Sequence, residues 1–115
     1  MAGDKRRVRG TKKTAVGGIT FDSKREAERW GQLKFLEQGG EIRNLQRQVP
    51  VGLVGWGGPI LTPTGRPMKA VIDFVYEDKR LNWATVYEDA KGHETDVSKM
   101  KRAILSAQGI EVVLS

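Results

Sequence analysis

Two acids in neighbouring extended runs constrain this chain more than any other feature. Residues 69–76 read Lys-Ala-Val-Ile-Asp-Phe-Val-Tyr, and residues 83–92 read Trp-Ala-Thr-Val-Tyr-Glu-Asp-Ala-Lys-Gly, with Asp78-Lys79-Arg80-Leu81-Asn82 between them. Both runs alternate with period two and are rich in β-branched and aromatic residues, so the pattern predicts a β-hairpin. Val71, Asp73 and Val75 share one face of the first strand, and Thr85, Tyr87, Asp89 and Lys91 share one face of the second. A turn centred on Arg80 sets Asp73 opposite Tyr87, with Asp89 one diagonal step away, roughly 7–8 Å and within reach of a shared ion. Two carboxylates among apolar residues repel each other and are costly to bury without a partner. Lys91 is one such partner. A divalent cation is a better one, because Mg²⁺ is typically held by one or two carboxylates plus substrate phosphates. Glu88 alternates to the opposite face and becomes a ligand only if a bulge shifts the register.

The rest of the chain supplies elements to pack on this hairpin. Residues 16–21 are a short extended stretch, and a helix starts at Asp22 or Ser23. Ser23-Lys24-Arg25-Glu26 reads as a capping box, Ala27, Trp30 and Leu33 follow at helical spacing, and Gly39-Gly40 closes the helix. Glu26 lies at i relative to Trp30 (i+4) and Leu33 (i+7), which puts it on the buried side. It is therefore a candidate site residue as well as a cap. Residues 42–54 are extended, with Leu45, Arg47 and Val49 alternating with Gln46 and Gln48; Pro50 marks an edge, a bend or a strand end. Gln48 is a candidate contact to a phosphate or to the site. Residues 55–67 read as a loop. Trp56 within it is either a lid over the core, the preferred reading, or a surface that stacks on a base. Glu94-Thr95-Asp96 opens a second helix with Val97, Met100, Ile104 and Ala107 as its apolar stripe; Lys99, Lys101 and Arg102 lie off that stripe and could line a nucleic-acid groove. Residues 110–114 form a last strand, apolar enough to be interior. His93 reads as a polar turn residue.

Charge points to the partner. Of the net charge of +6, residues 1–15 carry +5 (Lys5, Arg6, Arg7, Arg9, Lys12 and Lys13 against Asp4 alone), which leaves +1 for the rest. A basic arm of this kind favours a polyanion, usually nucleic acid. The division is thus a flexible basic arm, residues 1–15, and one domain, residues 16–115, large enough for a single core. With no cysteine, disulfides and thiolate metal sites are excluded, and a cytoplasmic location fits. No apolar run approaches the roughly 18 residues of a membrane span, and no signal peptide is visible.

Asp73 followed by Asp89-Ala90-Lys91 in the next strand resembles the signature of the PD-(D/E)XK nucleases, with Ile72 where many members have Pro. The run Phe-Asp-Ser-Lys-Arg-Glu-Ala-Glu-Arg-Trp resembles the first helix of such enzymes, in which a glutamate faces the metal. Together with Leu-Gln-Arg-Gln, Asp-Phe-Val-Tyr and Tyr-Glu-Asp-Ala-Lys-Gly, it is similar to a small group of phage-encoded nucleases of this fold, related to Holliday-junction resolvases. The resemblance covers roughly residues 16–114. It implies an α/β fold with an α-β-β-β-α-β core, a mixed sheet flanked by helices. It further implies a metal-dependent endonuclease that hydrolyses DNA phosphodiesters, structure-specific and homodimeric. Asp73, Asp89, Glu26 and the Ala90 carbonyl would hold Mg²⁺ or Mn²⁺, and Lys91 would complete the catalytic set. Lys5, Arg6, Arg7, Arg9, Lys12, Lys13, Gln48, Lys99 and Arg102 would contact DNA. A non-catalytic DNA-binding module and an RNA-directed nuclease remain open alternatives.

Overall fold

The strand that carries Asp73 lies inside a four-stranded mixed sheet. In the computed structural model, which describes residues 14–16, 18–91 and 93–115, the order across the sheet is β3 (Ile42–Gly52), β6 (Lys69–Asp78), β7 (Ala84–Asp89) and β8 (Val112–Leu114). The first three run antiparallel to their neighbours, and β8 pairs parallel to β7. Helix α1 (Lys24–Gln38) precedes β3, and helix α2 (Asp96–Ala107) joins β7 to β8. Two small hairpins complete the chain: β1 (Thr14–Val16) with β2 (Ile19–Phe21), and β4 (Val54–Gly55) with β5 (Gly58–Pro59). No helix among the described residues is long and apolar enough to cross a membrane. The arm residues Lys5, Arg6, Arg7, Arg9, Lys12 and Lys13 lie outside the described residues.

Two apolar clusters hold the layers together. Leu33 from α1 packs with Ile42, Phe74 and Tyr76, and Trp30 stacks on Phe74 with 6.2 Å between ring centroids. Leu105 from α2 packs with Leu53, Ala70, Ile72, Val75 and Val112. Ile72 and Phe74 are two residues apart and would share a face of a regular strand, yet they belong to different clusters. Strand β6 changes phase between them, at Asp73. On β3, Val49 joins the second cluster and Leu45 the first, so β3 changes phase at Gln48, whose φ is +54°. The backbone pairing of β3 with β6 skips Gln48 and Asp73, while Arg47–Phe74 and Val49–Ile72 are paired on either side. A left-handed glutamine in a strand costs about 1–3 kcal/mol and persists only where the surroundings impose it.

The structure departs from the sequence pattern in several elements. The hairpin does not turn about Arg80. Phe74 faces Glu88 and Val75 faces Tyr87, a register that sets Asp73 across from Asp89 rather than Tyr87. The cause is a longer connection: a 3-10 turn at Lys79–Leu81 is followed by Asn82 and Trp83, both left-handed, with φ of 57° and 64°. Trp83 is therefore a turn residue, not the first of a strand, and the Arg43 guanidinium lies 4.2 Å from its ring centroid. Residues 55–67 are not featureless but contain the β4–β5 hairpin, and Trp56 at its tip is fully exposed, not a lid over the core. Helix α2 starts one residue after its N-cap Thr95, and its buried residue is Leu105; Val97 and Met100 of the expected stripe are exposed. Strand β8 is an edge, with Val113 and Leu114 half exposed, because only β7 pairs with it. Pro50 lies on the other edge strand, β3, where proline is tolerated.

Candidate functional site

The site lies at Asp73, where the β6–β7 ladder ends and the β3–β6 ladder is interrupted. Strand pairing between β6 and β7 ends at Phe74–Glu88, and carboxylates take over from backbone carbonyls beyond that point. The Asp73 backbone N–H donates to Asp89 Oδ1 at 2.8 Å, and the Ala90 N–H donates to Asp73 Oδ2 at 2.9 Å. The two acids thus cross-link the strand ends, each keeping one oxygen out of the backbone network. Lys91 Nζ stands 3.9 Å from Asp89 Oδ2, the free oxygen of that residue. Asp73 Oδ1 accepts from Gln48 Nε2 at 3.3 Å, and the same nitrogen donates to Glu26 Oε2 at 2.8 Å. The left-handed turn of Gln48 thus places one side-chain amide between two acids from different elements.

Glu26 is buried at the start of α1. Ser23 Oγ accepts from its backbone N–H at 3.1 Å, which is one half of a capping box. Its carboxylate is turned to β3 instead of back to the cap, toward Gln48 and toward Arg47 Nη2 at 3.6 Å. Burial pushes the Glu26 carboxyl above the usual range, and the negative charge of Asp73 adds to this; Arg47 and Gln48 oppose it. Asp73 is raised too, first by burial and then by Asp89, against the Ala90 N–H, Lys91 and Gln48. Crowded acids that resist ionisation are what a divalent cation relieves.

The residues suit such a cation in kind. Two carboxylates, each with an oxygen not engaged by backbone, match the hard oxygen donors that Mg²⁺ takes, the rest of its shell being water and phosphate. Among the described residues no three His, Cys, Asp or Glu side chains stand together as a ready-made metal cage. Glu26 reaches the pair only through Gln48.

Glu88 faces away from this centre. It is fully buried and accepts from Arg29 Nε at 2.5 Å and from the Tyr76 hydroxyl at 2.6 Å. Burial alone would raise its carboxyl; Arg29 and Tyr76 outweigh that and hold it below the usual range, while the Tyr76 hydroxyl is pushed up to about 12, by burial first and Glu88 second. Glu88 therefore ties α1 to β7 and supports Asp89 from behind.

Beside Asp89, a cleft of about 220 Å³ opens between the sheet and α2, with Lys91, Ser98, Lys101 and Arg102 in its wall. Arg102 donates two hydrogen bonds to the Glu94 carboxylate, at 2.8 and 2.7 Å, so much of its charge is spent inside the protein. Lys99 and His93 are exposed and outside the cleft lining. Sequence reasoning missed Arg47 and the Glu88–Arg29–Tyr76 group. Arg47 carried a signal, since the alternation sets it on the same face as Leu45 and Val49, a charge in an apolar row; its guanidinium covers the Phe21 ring at 4.6 Å. Arg29 carried none, being one of several charges on its helix.

A family model described as a protein of unknown function, DUF1064, matches residues 6–115. No curated protein and no solved structure matches the chain.

Proposed function

The chain belongs to the DUF1064 family, and from its site we propose a metal-dependent endonuclease that hydrolyses DNA phosphodiester bonds. The observation that carries the reading is the convergence of Asp73 and Asp89 at a break in both ladders, cross-bonded through backbone amides, with Lys91 beside them and Glu26 tied in through Gln48. The succession α1, β3, β6, β7, α2, β8 is also the order of a PD-(D/E)XK core, so a fold of that type, and the phage-nuclease kinship it suggests, are part of the proposal.

Asp73 and Asp89 would hold Mg²⁺ or Mn²⁺, with the Ala90 carbonyl as a further ligand. A bound cation of this kind supplies Lewis-acid polarisation of the phosphate and makes water a better nucleophile. Glu26 accepts a proton or positions water from its buried place, where its raised pKa suits the exchange. Gln48 keeps Glu26 and Asp73 apart and oriented. Lys91 neutralises the charge that builds on the pentavalent phosphate or orients the attacking hydroxide. The basic arm would grip phosphates outside the cut. A homodimer would let two such sites act on a branched substrate, since one chain of this size can hardly enclose a duplex.

A panel of single-stranded, duplex, flap and four-way-junction DNAs, each with Mg²⁺, Mn²⁺ or EDTA, tests the activity. Cleavage that needs the metal and is lost in Asp73→Asn is expected. Metal-independent cleavage, or cleavage untouched by that substitution, would remove the reading.

A further inference from the structure

The cleft between the sheet and α2 has the wrong chemistry for phosphate alone. Its floor is apolar, with Ile72 and Leu105 at the bottom. Its lip includes Val71 and Val97, 48% and 57% exposed, β-branched side chains that the core leaves about half uncovered. Its other wall is cationic. Lys91 projects there beside Asp89, and Lys101, bonded to the Lys69 carbonyl at 3.1 Å, has no acidic partner among the described residues. An apolar floor and lip, with the amines of Lys91 and Lys101 and the single acid Asp89 in the lining, describe a small amphipathic anion whose charged end lies toward the lysines. Val97 belongs to the helix stripe that the core leaves uncovered, and a ligand surface accounts for that exposure.

A stacked, paired nucleotide presents sugar, phosphate and the edges of its base to a protein, but the apolar faces of the base are shut inside the helix. Of a nucleic-acid strand, the part that can lay an apolar face on the floor of a cleft of about 220 Å³ is a nucleotide that has left the stack. We propose that this cleft is a subsite for one unstacked nucleotide of the substrate strand, its base or sugar on Val71, Val97 and the floor, its phosphate between Lys91 and Lys101. The substrate is then nucleic acid with an unpaired nucleotide beside the bond to be cut. The inference rests on Asp73 and Asp89 being the phosphodiester site, but its test is a binding measurement that needs no cleavage.

The test uses the full chain, with Ca²⁺ and again with EDTA, and two duplexes identical except for one unpaired 2-aminopurine. The parent should bind the unpaired duplex at least about tenfold more tightly, because the unstacking penalty is smallest there, and 2-aminopurine fluorescence should rise as the base leaves its neighbours. The double variant Val71→Gln/Val97→Gln alters two exposed positions and should melt like the parent, yet lose the preference and the fluorescence rise. Equal affinity for both duplexes, no rise in fluorescence, a variant that keeps the preference, or no binding to either duplex would each overturn the subsite. Preference for the unpaired nucleotide without any metal-dependent cleavage would leave the subsite standing and remove the nuclease reading. Cleavage without such preference would do the reverse.

Discussion

Asp73 is held in the sheet at an electrostatic disadvantage, and its pH dependence should reveal it. A carboxyl whose folded pKa is raised binds its proton more tightly when folded, so stability falls as pH rises from the unfolded value, about 3.9, through the folded one. Asp73→Asn removes that liability. Its stability relative to the parent should be close to zero in acid and shift in favour of the variant as pH passes the raised Asp73 pKa, read by paired urea melts from acid to neutral pH. Added Mg²⁺ should narrow the difference by binding only the parent's native state. Glu88 behaves in the opposite sense. Its pKa is depressed, so its contribution is present above the unfolded value and lost as pH falls through the folded one. Arg29→Ala would leave its carboxylate buried without its cation, at a cost of about 3–5 kcal/mol in a denaturant titration.

Among the elements, the two helices differ in how fully they are used. Helix α1 buries Glu26, Ala27 and Leu33 along one face, as its spacing predicts. Helix α2 buries Leu105, while Met100 of the expected stripe stays exposed. Leu105→Ala should therefore destabilise by about 2–5 kcal/mol, whereas Met100→Ala should stay within about 0.5 kcal/mol, compared by thermal or urea unfolding. Periodicity alone could not rank these positions, because Leu105 and Met100 both lie on apolar rows and only the placement of the sheet decides which row it covers. The hairpin was legible in alternation and turn composition, but its register was not. The left-handed pair Asn82-Trp83 lengthens the connection, and nothing in a tryptophan announces positive φ. The phase change at Gln48 and Asp73 was hidden for the same reason: a glutamine in a strand carries no local sign of strain.

For the molecule as a whole, the acids and the lysine were legible because charges in apolar strands are conspicuous, and α-β-β-β-α-β order because each segment has its own period. What joins them was not. The amide of Gln48 between Glu26 and Asp73, and the Arg29 clamp on Glu88, are long-range pairings that local pattern does not encode. Deleting residues 1–13 should leave the melting transition unchanged and flatten the salt dependence of DNA binding by roughly one log–log unit per lost phosphate contact. A catalytic metal site at Asp89 and its neighbours is tested by the rate of Mg²⁺-dependent DNA cleavage by Asp89→Asn against the parent. Asparagine keeps an oxygen for the Asp73 N–H but is a poor Mg²⁺ ligand, so the rate should fall by at least about a hundredfold with no loss of metal-free stability. A variant that cuts DNA at the parental rate would rule out a catalytic metal at Asp89.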